Sequence, residues 1–420
     1  MKLGEKGGGV VLGYAQMVLN VLVKFVYTPF LLMCLGQSEY GLFSLVMSVV
    51  GYMAVLDLGF GSTVTRYTVK YLSSNDEEGL KKLYGTISVV YIIIGIVAFF
   101  ICVALSLSSS KLFGRTMTPE EVDKLRLMLF FVGINLLFTF PLQISRSVVI
   151  ANEKFVFKNL VELIRVIIQP CVLVALLYFL HIKSVGSIVI VTSFNFLSFL
   201  TYYIYSYAKL NFKFSLKYFS PHLIPTLLAF SGWMFGMMIF EQVQFNMGQF
   251  ILGMFQSSKV IAVWGIAMIF ILNYRSLSTA ITNVFIPSFL RMSFNSEKIE
   301  MTQSIVRMTR LQAIVLFTIF FNMLLFGKDF ILLWAGYEYV DAYKCAITVM
   351  APMTVALILD FCYFFQLAHK KMVYRTITFF GSFFLSFVLI YFFRIYFSIF
   401  YFFIFNFFCC INIAFLLFTK

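Results

Sequence analysis

Apolar residues fall in long, unbroken runs along this chain, separated by short polar breaks. Dividing at the charged and Gly/Pro/Asn-rich breaks gives twelve runs. Six lie near 10–35, 41–69, 83–107, 125–150, 158–180 and 185–207, and six more near 222–255, 260–290, 304–326, 342–368, 373–393 and 396–418. A helix of roughly 20 apolar residues crosses the hydrocarbon of a bilayer. Transmembrane strands would alternate polar and apolar with a period of two, which these runs do not do. Backbone exposed to lipid must satisfy its own hydrogen bonds, so long non-alternating runs become helices. The pattern predicts an all-α, polytopic membrane protein of about twelve transmembrane helices.

Composition agrees with the pattern. Of 420 residues, 61% are hydrophobic and only 12% charged, against about 25% charged in a soluble domain. Such a chain cannot clothe itself in polar surface, so lipid must solvate most of it.

The net charge of +14 does not point to nucleic acid, because the cations form no cluster within a polar surface. They sit in the breaks, where they report orientation. With the N-terminus in the cytoplasm, 21 cations fall on the cytoplasmic side and 9 outside, leaving Lys24 and Arg275 within spans. An even number of spans with both termini inside satisfies the positive-inside rule. The first run is too long for the core of a cleaved signal and is read as a retained span.

The runs divide near Lys209–His222 into two halves of six, residues 1–210 and 211–420. Each half opens with two long helices joined by a short outer turn, Gly36–Tyr40 and Gln256–Lys259. That spacing is the trace of an internal repeat, a common plan in transporters. It predicts two six-helix lobes around a central cavity, which rock so that the two turns approach when the outer side closes.

Enzymatic and nucleotide motifs are missing. Gly4-Glu5-Lys6-Gly7-Gly8-Gly9 lacks the order of a phosphate loop, and Gly59-Phe60-Gly61 lies inside a span. The seven cysteines and three histidines show no metal or disulfide spacing, so no cofactor is expected.

The informative residues are charges at membrane depth. A cation at the centre of a span costs at least roughly 2.5–3.5 kcal/mol unless it meets water or a partner. Lys24 and Arg275 stand there. Gln16, Asn20 and Lys24 share one face of the first span, and Arg275, Thr279 and Thr282 one face of the eighth. Ser44, Ser48, Gly51, Gly59, Ser62 and Arg66 form a stripe on the second, and Gln242, Asn246 and Gln249 one on the seventh. Four polar stripes, two from each half, imply a hydrophilic cavity. Asp57, Glu241 and Asp360 are the acids available for helix–helix pairing or for ion coupling and gating. Arg146 and Arg165 lie near cytoplasmic ends, where snorkelling accounts for them. The three tryptophans lie towards span ends, as interfacial anchors do.

Two segments carry a resemblance. Phe30-Leu-Leu-Met-Cys-Leu-Gly-Gln-Ser-Glu-Tyr-Gly-Leu-Phe-Ser-Leu45, continuing to Asp57-Leu-Gly-Phe-Gly-Ser-Thr-Val-Thr-Arg-Tyr67, resembles the opening of the polysaccharide-unit flippases. So does the stretch from Pro141 through Ile150-Ala-Asn-Glu-Lys-Phe155. These belong to the multidrug/oligosaccharidyl-lipid/polysaccharide exporter superfamily. The resemblance implies transport of undecaprenyl-diphosphate-linked oligosaccharide, an O-antigen or capsule repeat, across the bacterial cytoplasmic membrane. It implies that cavity cations meet the diphosphate, with Lys24, Arg66 and Arg275 as the matching residues. Gln16, Asn20, Gln242 and Asn246 would line the glycan path. A polysaccharide polymerase and a chain-length regulator are the expected protein partners, and membrane lipid the surroundings. Two other readings stay open: a drug/cation antiporter of the same superfamily, and a membrane polysaccharide polymerase.

Overall fold

The computed structural model describes residues 3–359, apart from 211, 213–215 and 296–297. The spans expected at 373–393 and 396–418, and Asp360, lie outside the described residues. Ten α-helices and three short 3-10 turns make up the described chain, with no strand among the described residues. The helices are α1 (Leu3–Met53), α2 (Phe60–Ser73), α3 (Glu77–Phe113), α4 (Pro119–Ala151) and α5 (Phe155–Leu180), then α6 (Ser184–Lys209), α7 (Leu223–Phe255), α8 (Ser258–Asn295), α9 (Lys298–Ala335) and α10 (Ala342–Ile358). Eight helical stretches among the described residues are long and apolar enough to cross a membrane.

The first two spans are cut differently from the sequence reading. Helix returns directly after Gly36, whose φ of 75° and ψ of 171° make the one non-helical step inside α1. Glycine reaches that conformation because it has no Cβ. The second span, expected as one helix over 41–69, is broken in its middle. A 3-10 turn at Ala54–Asp57 is followed by Leu58 (φ 53°) and Gly59 (φ 74°), after which α2 begins. Local signals set the other starts. Asp76 accepts from the Gly79 amide (2.8 Å) to cap α3. Thr118 and Glu121 form a reciprocal capping box on α4, with Pro119 in the first turn.

The chain forms two compact units, Met1–Ala262 and Val263–Lys420. In the first, α3 packs on α4, α4 on α6, and α1 on α5. Small residues permit the close approaches. A Cβ on Gly95 would stand 3.1 Å from the Leu137 carbonyl, and one on Gly133 would stand 3.0 Å from Cys102. Close packing through small residues takes the place of the hydrophobic drive that lipid cannot supply. The linker after α6 also belongs here. Phe212 is buried edge-on against Tyr84, 5.0 Å between centroids, and the Ser220 amide donates to Thr86 Oγ1 (3.0 Å).

In the second unit a buried polar knot joins α8, α9 and α10. Tyr274 donates to the Leu316 carbonyl (3.1 Å) and pairs with Thr354 Oγ1 (2.7 Å). Gln312 donates to Ser278 Oγ (2.5 Å) and the Leu357 carbonyl (2.8 Å). Trp334 stacks on Phe330 and meets Phe270 edge-on.

Candidate functional site

The first span presents two open faces of opposite character. Tyr14, Val18, Leu22 and Val26 recur every four residues and are all exposed, an apolar stripe suited to lipid. Lys24 follows Leu22 by two residues, about 200° around the helix. It is nevertheless exposed. Its face also carries Gln16 and Asn20, both half-buried, and Thr28, whose hydroxyl donates to the Lys24 carbonyl (2.7 Å). A lysine open on the side away from the apolar stripe needs a wet groove there.

Arg66 is exposed on α2, just beyond the break. On α8, in the second unit, Arg275 is half-buried and its carbonyl accepts from Thr279 (3.0 Å). Thr282, expected on the same open face, is buried and donates to the Ser278 carbonyl (2.9 Å).

Not every polar position stays open. Gln249 of α7 donates to Ser44 of α1 (2.7 Å), both buried, so this pair bonds two helices to each other. Asn246 donates to Gln242 (2.5 Å) one turn away and lies against Gly51, where a Cβ would come within 2.7 Å. The Glu241 side chain lies outside the described residues.

Asp57 occupies the break in the second span and is only 7% exposed. It accepts from Tyr91 Oη (2.7 Å), Gln143 Nε2 (3.0 Å) and the Gly61 amide (3.2 Å). Every one of these partners donates, which suits an ionised carboxylate. The side chain therefore ties the broken span to α3 and α4 and stands at the start of α2, where the helix dipole favours negative charge.

Two charge clusters escaped the sequence reading. Arg146 and Arg165 have an acid partner. Both turn to Glu162, Arg146 at 3.2 Å and Arg165 at 3.9 Å, and Tyr202 donates to the same carboxylate (3.3 Å). The signal was present in the spacing of Lys158, Glu162 and Arg165, which share one face of α5. The second cluster joins the two short turns. Ser258, first residue of α8, lies 3.2 Å from Ser38, hydroxyl to hydroxyl. Glu121 accepts from both, with Ser258 at 2.6 Å. Beside it, Glu39 accepts from Lys124 and from the Ser184 amide (3.1 Å). A Cβ on Gly41 would fall 1.9 Å from the Ser258 carbonyl, so only glycine lets the turns meet this closely.

A bundle of long apolar helices with a broken second span is the build of a multi-pass membrane protein. Solved structures agree on the fold. An inward-facing multidrug resistance transporter of the MATE family has a TM-score of 0.70 at 13% identity, over 95% of this chain and 92% of that one. The lipid II flippase MurJ, in an inward closed conformation, gives 0.70 at 15% identity, over 98% and 87%. A MOP-superfamily transporter from Pyrococcus furiosus gives 0.62 at 14%, over 98% and 96%. No curated protein matches the chain. The family model for polysaccharide biosynthesis proteins matches residues 8–293, and the chain belongs to that family.

Proposed function

We propose that this protein is a flippase that carries undecaprenyl-diphosphate-linked oligosaccharide units across the bacterial cytoplasmic membrane, with both termini in the cytoplasm. The observation that carries the reading is Lys24, a cation open at mid-span on the face away from the apolar stripe. A sugar hydroxyl taken bare into hydrocarbon costs about 4–8 kcal/mol, so even a short glycan faces a prohibitive barrier. A groove lined by Gln16, Asn20 and Lys24 supplies hydrogen bonds along the way and a charge to offset the diphosphate. Membership of the polysaccharide biosynthesis family supports a glycan cargo. In this reading Arg66 and Arg275 serve the diphosphate as Lys24 does, and the two six-span halves, residues 1–210 and 211–420, alternate access by rocking. A polymerase on the outer face would consume the delivered units.

An antiporter of drugs or cations is the competing reading, favoured by the likeness to multidrug transporters. It requires a carboxylate free to trade protons or cations. Among the described side chains of the three acids named for ion coupling, Asp57 is already committed to three donors. The deciding experiment removes the protein from its cell. Lipid-linked units should accumulate on the inner leaflet and clear when the protein is restored. Normal surface glycan in the deletion would refute the flippase.

A further inference from the structure

We propose that Arg146, Lys158 and Arg165 form a second anion site in the first unit, built to take a phosphate or diphosphate headgroup before it reaches Lys24. On α5 the exposed apolar residues Leu160, Ile164, Ile167 and Ile168 mark one side of the helix. Lys158, Glu162 and Arg165 lie on the other. Arg146 joins them from α4. Its Nη2 is 3.2 Å from one oxygen of Glu162, while Arg165 Nη1 is 3.9 Å from the second oxygen. Arg165 also donates to Asn195 on α6 (3.4 Å) and Lys158 to Asn159 (3.3 Å). Tyr202, itself buried, donates to Glu162 and to the Lys158 carbonyl (3.2 Å).

The arrangement of these groups is what calls for a ligand. The Glu162 side chain is 12% exposed and forms the floor, whereas the Arg146 and Arg165 side chains are 39% and 34% exposed in front of it. One carboxylate thus faces three cations. Asp57 also lies within electrostatic range of Arg146, but it already takes three neutral donors. Arg146 Nε is buried and has no hydrogen-bond partner. Clustered positive charge and a buried idle donor are costly unless an anion joins them. Guanidinium groups fork onto phosphate oxygens, which suits Arg146 and Arg165 to that anion.

Placement gives the site its role. Helices α1 and α5 run side by side in the same direction, since Gly8 meets Val156 and Gly13 meets Asn159. Lys24 lies eleven residues beyond Gly13, and so roughly 16 Å further along the helix axis than Asn159. The cations therefore form a ladder, with Lys158 lowest, Arg146 and Arg165 next, and Lys24 above. An anionic headgroup arriving from the α4–α5 end meets Lys158 and the arginines before Lys24. The site itself does not depend on the flippase reading, but the identity of its natural ligand does.

Purified full-length protein, titrated with farnesyl diphosphate, tests the site. Farnesol, inorganic pyrophosphate and phosphatidylglycerol serve as separate arms. We expect binding of farnesyl diphosphate but not farnesol, and competition by pyrophosphate. The pair Arg146→Gln with Arg165→Gln should weaken binding at least about tenfold, the loss of one charge-assisted hydrogen bond. Glu162→Gln should tighten it several-fold, because the competing carboxylate is gone while a side chain of similar size remains. A purely structural ion pair gives the opposite result for Glu162→Gln, with lower thermal stability and no gain in affinity. That gain is read on a variant other than the double arginine one, so misfolding of the latter does not spare the idea. Phosphatidylglycerol displacing the diphosphate at equal concentration would make this a general lipid-headgroup site and overturn its role in the ladder. If the variants behave as expected but deleting the protein leaves glycan export normal, the site stands and the flippase reading falls. If export needs the protein but no variant alters binding, the site falls alone.

Discussion

At the residue scale, position along the helix made Lys24 visible, because a cation in the middle of an apolar run is conspicuous in one dimension. Lys24→Ala should abolish surface glycan with the protein still present in the membrane at normal abundance. Lys24→Arg should retain more export, because charge outweighs shape when the contact is electrostatic. Assays of surface glycan against membrane abundance check both, and normal export by the alanine variant would dismiss the groove. Asp57 was equally visible, but its partners were not. Tyr91 and Gln143 lie 34 and 86 residues away along the chain. Asp57→Asn leaves one amide facing donors where a carboxylate accepted three bonds. It should lower unfolding stability by about 1–3 kcal/mol, seen as a reduced melting temperature. A melt unchanged from the parent, combined with lost transport, would move Asp57 from anchor to ion coupling. The acid beside Arg146 was not legible in the sequence, because Glu162 reaches Arg146 only in three dimensions.

At the scale of elements, hydrophobic runs predicted most helices closely. The exception is the second span, which breaks at Ala54–Gly59. Its run gave no hint, since Leu-Gly-Phe-Gly is apolar throughout and glycine occurs freely in transmembrane helices. The break is held by long-range bonds to Asp57. The glycine at 41 is likewise explained only by what faces it. Gly41→Ala should force the two short turns apart, because its methyl would overlap the Ser258 carbonyl. The expected result is faster labelling of Ser38→Cys by a membrane-impermeant maleimide in the Gly41→Ala background. Equal labelling rates with and without the methyl would show that the turns do not need this contact.

At the scale of the whole molecule, the contact between the turns tests alternating access. The Ser38 and Ser258 hydroxyls are 3.2 Å apart, so cysteines there suit a disulfide, which needs α-carbons within about 7 Å. In a background without the seven native cysteines, oxidation of Ser38→Cys with Ser258→Cys should stop export, and reduction should restore it. Full export with the bond demonstrably formed would exclude movement at these turns. Orientation has its own check, resting on the charge asymmetry. Reporter fusions after Lys217 and at Lys420 should read cytoplasmic and one near Thr118 external, and an external reading at Lys420 would overturn the even span count.

The sequence by itself determined that this is an α-helical membrane protein, near where most of its spans begin and end, and which cations lie at depth. Those properties follow from the cost of burying polar groups in hydrocarbon, a cost that each short segment meets on its own. Only the tertiary structure decided which polar groups stay open and which bond to one another. Lys24 remains open, while Ser44 and Gln249 satisfy each other, although all three sit on polar stripes of the same kind. It also decided that Glu162 gathers two arginines and that Glu121 bridges two turns 220 residues from one another. A hydrogen bond or ion pair depends on distances of a few ångströms between groups far apart in the chain, and periodicity along one helix says nothing about which neighbour stands opposite.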